Sequence, residues 1–396
     1  MNKKIIEMSK EELNENIQSE NIQVCVIGIG RIGLPTALSF ANSGFNTIGV
    51  DINENLVEKI NKGIFPLKDE PGYDVMFDKV RSENFFKATS KIENILSNSD
   101  VILLSLPTPM NSSNVPNYSA LQSVGQQLHD FLSNGSLVIV ESTIEPGFVE
   151  NILIPIIEGD DKKLKAGKDF AIGVCPETAN PGQILNDFEK LPRLVGAIDD
   201  ATKDMITKIY RHVFTVDLIP MPNCKTANAV KLTTNVFRDL NIAFVNELAI
   251  LFEKLGIDIM TVLEAAKTKY NFQIHYPGPG VGGPCLPVNS YQYLNTAKEI
   301  GLSLKLVETA REVNESMPLH VVKLLSDAFN EQSKLLKDST ILLLGVSYKP
   351  DVKDIQISPA EKIIEKLKEL NINIRIYDPY FISENIFGIN SETNLI

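Results

Sequence analysis

VCVIGIGRIGLPTALSF, residues Val24 to Phe40, joins a short apolar run to a longer amphipathic one through Gly28, Gly30 and Gly33, spaced G-x-G-x-x-G. The unbroken apolar run suits a strand buried on both faces, and the amphipathic run from Gly33 onward suits a helix. Glycines between the two permit a tight turn whose backbone a pyrophosphate can approach, with its charge set against the helix N-terminus. The spacing alone is a weak signal; its surroundings strengthen it. A second apolar run, NTIGVD, ends at Asp51, eighteen residues after Gly33. A carboxylate there binds the ribose hydroxyls of NAD and repels the 2′-phosphate of NADP.

Working outward, FNTIGVDI, VILLSLPTP, LVIVEST, FAIGVCPE and RLVGAI read as further strands, with helical patterns such as LPTALSFANSG and SALQSVGQQLHDFLSNG between some of them. This alternation predicts an α/β fold with a Rossmann-like, doubly wound, mostly parallel sheet over residues 22–205. Residues 1–21 mix acids and bases and read as a short helical or frayed extension. Past VDLIPMPNC the pattern turns helical. Cys224 to Gly256 has no internal glycine or proline before its last residue, giving a helix of up to roughly 45 Å. Residues 206–318 are expected to form a helical central and dimerisation region. Residues 319–396 hold STILLLGVSYKP, SPAEKIIEKLKELN and INIRIYDPY, one βαβ unit, so a second and shortened α/β domain is expected there.

The central region contains HYPGPGVGGPCLPVNSYQYL, His275 to Leu294. Four glycines, Gly278, Gly280, Gly282 and Gly283, with Pro284 and Pro287, specify a rigid loop of unusual shape around Cys285. Either the loop presents the cysteine or the cysteine is buried packing.

Composition narrows the function classes. Of 396 residues, 43% are apolar and the formal charge is −12, with no Lys/Arg-rich block, which argues against nucleic acid or an anionic membrane as partner. Cys25, Cys175, Cys224 and Cys285 form no C-x-x-C pair, so neither a metal site nor a disulfide framework is expected, and a reducing cytoplasm fits. No apolar run approaches the ~20 residues of a membrane span, and the N-terminus lacks the apolar core of a signal peptide.

On the long helix Lys231, Asn235 and Arg238 fall at i, i+4 and i+7, along one face. Together with the nucleotide motif, the segments ESTIEPG, CPETANPG, NAVKLTTNVFRDLNIAFVNELA, GPGVGGPCLP and GVSYKPDVKD occur in an order that resembles the UDP-sugar 6-dehydrogenases, and Phe237 to Asp239 (FRD) looks most like their UDP-N-acetylmannosamine branch. The resemblance implies a four-electron oxidation at the sugar C6. One NAD takes the alcohol to an aldehyde, Cys285 adds as a thiohemiacetal, a second NAD yields a thioester, and water releases the carboxylate. It implies that Lys231 stabilises the developing oxyanion and contacts substrate, that Asn235 supports a water or the sugar oxygen, and that Glu177 is the base for thioester hydrolysis. Thr143 would hold the catalytic water and also line the cofactor site with Gly28, Gly30, Arg31, Ile32, Gly33, Asp51, Pro107 and Thr108. Arg238, Gly278, Gly282 and Lys349 would contact the UDP-sugar, and a homodimer would form through the long helix, whose Val236, Ile242, Val245 and Leu248 exceed what one bundle face needs. The sequence departs from the family pattern at Thr178, Pro284, Asn289, where the family carries aspartate, and Gln356, where it carries arginine. UDP-N-acetylglucosamine or UDP-glucose 6-dehydrogenases, or a catalytically impaired homologue serving as a partner subunit, are the alternative readings.

Overall fold

A computed structural model describes residues 4–19, 21–161 and 163–394. The chain divides into two compact units, residues 1–232 and 233–396.

In the first unit eight strands form one sheet: β1 (Gln23–Ile27), β2 (Asn46–Val50), β3 (Phe86–Thr89), β4 (Val101–Leu104), β5 (Leu137–Val140), β6 (Ala171–Val174), β7 (Arg193–Ala197) and β8 (Leu218–Pro220). Their order is β3-β2-β1-β4-β5-β6-β7-β8. Neighbours are parallel throughout except β6 and β7, which run antiparallel. The expected doubly wound sheet is therefore present. Its period of two is visible in the burial: Val24 and Val26 of β1 point into one apolar layer, Cys25 and Ile27 into the other. Two strands of this sheet escaped the sequence reading. β3 alternates buried and exposed residues at the sheet edge, and β8 is three largely exposed residues at the other edge, so neither carries a continuous apolar run.

Of the two readings of the N-terminal extension, the helical one holds over Lys10–Gln18. Helix α1 (Lys10–Gln18) opens with a capping box, in which Ser9 Oγ accepts the Glu12 N–H at 3.2 Å and Glu12 Oε2 accepts the Ser9 N–H at 2.6 Å. Ile5, Leu13 and Ile17 are buried in the same layer as helix α2 (Gly33–Asn42). The S-x-x-E spacing at Ser9 to Glu12 was the available signal. Helix α3 (Ser119–Phe131) covers the opposite face through Leu121, Val124 and Leu128, and α4 (Asp200–Val213) packs on β7 and on α1.

Helix α5 is continuous over Cys224–Leu255, 32 residues. The second unit continues with α6 (Ile259–Ala266), α7 (Leu286–Glu299) and α8 (Lys305–Glu331), then β9 (Thr340–Leu344), α9 (Pro359–Glu369) and β10 (Asn373–Tyr377). β9 and β10 pair in parallel, and the chain continues into a short hairpin, β11 (Asn385–Ile386) with β12 (Ile389–Asn390). Ile363, Ile364 and Leu367 of α9 seal this βαβ unit against Ile374 and Ile376. The limits expected at 205–206 and 318–319 fall inside α4 and α8. Pro287, expected to bound the loop, sits instead in the first turn of α7, where its missing N–H costs nothing.

Candidate active site

At the end of β1 the chain turns at Gly28, whose φ of 86° is a conformation that side chains resist. A Cβ on Gly28 would lie 2.5 Å from the Ser105 carbonyl oxygen, and one on Gly33 would lie 1.8 Å from that of Gly28. Both glycines are thus required by backbone approaching backbone. Gly30 differs: it is exposed, and a Cβ there would meet nothing within 4 Å. That open face is where a phosphate can come close. Asp51, the residue after β2, accepts the Ile29 N–H at 3.1 Å and the Asn53 N–H at 2.9 Å, which aims its carboxylate beside the turn. After β4, the Thr108 hydroxyl donates to the Thr143 carbonyl at 2.9 Å and the Leu106 N–H donates to Ser142 Oγ at 2.8 Å. The loops after β4 and β5 therefore meet at the carboxyl end of the sheet, where strand order reverses around β1. Pro107 is exposed there and Ile32 half-buried at the start of α2. Arg31 is engaged within the unit: its Nη1 pairs with Asp69 at 2.8 Å and with Glu70 at 3.1 Å. The open Gly30, the held Asp51 and the paired loops fit a dinucleotide.

Glu177 comes after β6 and is buried. Its Oε1 accepts the N–H groups of Thr178 and Ala179 at 2.6 and 2.7 Å. Its Oε2 lies 2.7 Å from Arg193 Nη1, an ion pair without hydrogen-bond alignment. Arg193 opens β7, and its guanidinium stacks on Phe214 at 3.8 Å and on Phe188 at 4.3 Å. Glu70 accepts the Gly182 N–H at 2.6 Å and so ties the Glu177 loop down a second time. Beneath, the Tyr210 hydroxyl donates to Glu141 at 2.6 Å. Sequence reasoning singled out Glu177 but not the residues packed around it, Arg193, Glu141, Glu70 and Tyr210. An arginine opening the apolar run RLVGAI was the only local signal.

Burial pushes the Glu141 carboxyl from 4.5 up to about 7, although the Arg193 charge pulls the other way. An unfolded chain releases that proton near 4.5 while the folded one keeps it to about 7. This contribution to stability is therefore present at low pH and lost as pH rises across that window. Glu141→Gln keeps the Tyr210 hydrogen bond and cannot titrate. Denaturant unfolding from pH 4 to 8 should show the variant gaining roughly 3 kcal/mol on the unmodified protein; a constant difference would mean that Glu141 titrates normally.

In the second unit the two readings of Cys285 separate. All four cysteines lie in the described residues and are free, and Cys285 alone is exposed. Burial pushes the thiols of Cys25, Cys175 and Cys224 up to about 12. Cys285 is the residue before α7, and its carbonyl accepts the Asn289 N–H at 2.9 Å. Asn289 is buried: its Oδ1 accepts from Asn235 Nδ2 at 2.6 Å, and its Nδ2 donates to Gln292 Oε1 at 3.0 Å. Lys231, one turn before Asn235 on α5, is buried and Arg238 is exposed. Asp239, the acid of FRD, has a structural part. It accepts from Ser290 Oγ at 2.7 Å, Arg311 Nη1 at 2.9 Å and Asn314 Nδ2 at 2.7 Å. Asn314 in turn holds Asn246, whose Oδ1 accepts the Gly278 N–H at 2.9 Å, so the glycine loop hangs from α5 and α8. Lys349 lies half-buried in the loop after β9. Among the described residues no His/Cys/Asp/Glu cluster could hold a metal, and no helix is long and apolar enough to cross a membrane.

Three family models match in succession: UDP-glucose/GDP-mannose dehydrogenase family, NAD binding domain over residues 22–214, central domain over 225–316, and UDP binding domain over 342–395. The UDP-N-acetyl-D-mannosamine dehydrogenase of Pyrococcus horikoshii is 36% identical over 91% of this chain and 84% of its own length. That of Methanocaldococcus jannaschii is 34% identical over 93% and 82%. The solved structure of the UDP-N-acetyl-mannosamine dehydrogenase Cap5O from Staphylococcus aureus matches with a TM-score of 0.81 at 33% identity, covering 94% of this chain and 85% of that one. With all three models matched in order and relatives of this identity along most of its length, the chain belongs to the UDP-glucose/GDP-mannose dehydrogenase family.

Proposed function

We propose that this chain oxidises UDP-N-acetyl-D-mannosamine at C6 to the uronate, using NAD. The observation that carries the reading is Cys285, exposed on a tethered glycine loop in a chain whose first unit holds a dinucleotide cradle. Bound NAD supplies the hydride acceptor for both oxidations. Gly28, Gly30, Gly33 and Asp51 would hold it, with Arg31, Ile32, Pro107, Thr108 and Thr143 around them. Once the C6 alcohol has become an aldehyde, the Cys285 sulfur gives up its proton to solvent and bonds to the aldehyde carbon, and the carbonyl oxygen takes the negative charge. Lys231 offsets that charge and Asn235 orients the oxygen. Loss of hydride from the adduct leaves a thioester, which water cleaves to carboxylate and free thiol. Glu177 takes the water's proton, Thr143 orients the water, and Arg193 keeps the Glu177 side chain in one rotamer. Arg238, Gly278, Gly282 and Lys349 bind the UDP-sugar. The substrate choice draws on the relatives' activity and on FRD. Incubation with UDP-N-acetyl-mannosamine, UDP-N-acetylglucosamine and UDP-glucose tests it. The first should give the highest kcat/KM, with two NADH per carboxylate, and a protein that binds NAD yet oxidises none of them would refute the reading.

Asp51 supports NAD over NADP, since a 2′-phosphate would meet a carboxylate already fixed by Ile29 and Asn53. Asp51→Asn should narrow the preference by about tenfold, the ~1.4 kcal/mol of one lost charge repulsion. Equal kcat/KM for the two cofactors in the unmodified protein would remove this role.

A homodimer through α5 is part of the proposal, on residues that differ in part from those expected. Val236 and Val245 are buried within the protomer, so they are no surplus, while Ile242 and Leu248 stay half-buried. Phe237, Phe244 and Leu251, at intervals of seven, are instead 45%, 51% and 49% exposed. Such a stripe suits a second copy of the same helix. Light scattering should give a dimer mass, converted to a monomer by Phe244→Asp; a monomer before mutation would count against it. The four free thiols support a cytoplasmic location.

A further inference from the structure

The two ends of the glycine loop are held by different parts of the second unit. Gly278 hangs from Asn246. Gly283 instead donates its N–H to the carbonyl of Gln356 at 2.9 Å. Gln356 lies between β9 and α9, within the stretch matched to the UDP binding domain. Along this seam nothing larger than glycine fits. A Cβ on Gly282 would lie 2.3 Å from the Ile357 carbonyl oxygen, and one on Gly283, where φ is 87°, would lie 2.6 Å from the Tyr348 ring. The backbone of the loop is laid directly on the backbone of residues 356–357, two residues before the nucleophile.

The 346–358 segment is fixed at its two ends and strained beside the second of them. Ser358 donates its hydroxyl to the Val346 carbonyl at 2.7 Å and accepts the Ala360 N–H at 3.2 Å, fixing the segment to the end of β9 and the start of α9. Ile357 holds φ at 51°. That left-handed conformation is unfavourable for a β-branched residue. In this conformation the Gln356 carbonyl accepts from Gly283 and the Ile357 carbonyl abuts Gly282, and those contacts hold the strained residue in place. Strain of this kind concentrates at active sites, ligand clamps and switch segments.

We infer that this segment couples the nucleotide end of the substrate to the nucleophile: filling the UDP site selects the arrangement of Gln356 and Ile357 that sets Gly283 and, through it, Cys285. Ile357 is then a positioning residue with no contact to the reacting atoms. The inference rests on the proposed function, which makes the third region the UDP site. It goes beyond that function by making substrate binding act on the placement of the nucleophile.

Free UDP tests it, because it has no sugar ring to shield the sulfur. Alkylation of the full-length protein by iodoacetamide, read by mass spectrometry at the Cys285 peptide, is compared with and without saturating UDP, and UDP binding is measured by calorimetry. The three buried cysteines serve as internal controls. UDP should change the Cys285 rate by about fivefold or more. Ile357→Gly, which frees the backbone at this position, should bind UDP and lose that response. Ile357→Asn, which tolerates positive φ, should retain it. UDP binding without any change at Cys285, or a full response in Ile357→Gly, overturns the coupling while leaving the proposed function intact. Failure of UDP to bind the unmodified protein overturns both.

Discussion

Cys285→Ser should abolish steady-state formation of the uronate, with turnover falling on the order of 10³–10⁶-fold. The reason is specific to two steps. A serine hydroxyl is a far weaker nucleophile toward the C6 aldehyde than a thiol, and an ester formed on it hydrolyses more slowly than a thioester. The backbone should not suffer. Cys285 is exposed and its side chain caps nothing, so Gly283, Asn289 and the start of α7 keep their positions. The variant should therefore bind NAD and UDP as before and give a slow, stoichiometric release of NADH in place of turnover. Mass spectrometry should find the sugar attached to the introduced serine. Undiminished turnover would mean that the exposed thiol is not the nucleophile, and the cysteine route would have to be abandoned.

Asn289→Asp should raise turnover by about 10²-fold or more, the lower end of what a positioned acid–base group contributes. The amide at this position is well accommodated: it accepts from Asn235, donates to Gln292 and is nearly inaccessible. A carboxylate of the same shape keeps the Asn235 bond and obliges Gln292 to turn its own amide and donate. Geometry is retained, while a proton acceptor is added one turn into the helix that starts after the nucleophile. KM for the UDP-sugar should change little, because the gain is confined to proton transfer. If the unmodified enzyme already turns over at an ordinary ~1–10³ per second, another group does this work. If the variant binds NAD and UDP-sugar yet remains inert, the partner-subunit reading becomes the better one.

Much of the fold was legible because it depends on residues near one another in the chain. The strand-and-helix period, the G-x-G-x-x-G spacing and the distance from Gly33 to Asp51 are local, and they suffice for a doubly wound sheet with a dinucleotide cradle. Edge strands β3 and β8 were missed for the same reason: half-exposed or very short, they carry little periodic signal. The motif order likewise carried the family and the choice of Cys285.

Tertiary structure decided which side chains meet across long stretches of sequence. Glu177 read as a base at a strand end, and only the return of β7 brings Arg193 to it. Val236 and Val245 read as surplus apolar surface until folding buried them and left Phe237, Phe244 and Leu251 outside. Asp239 read as a family signature, and packing of α7 and α8 on α5 makes it the acceptor for Ser290, Arg311 and Asn314. The Gly283 N–H and the Gln356 carbonyl are present in any sequence. Backbone groups carry no residue code, so their pairing, and with it the position of the cysteine loop, is set only by how the second unit closes on itself.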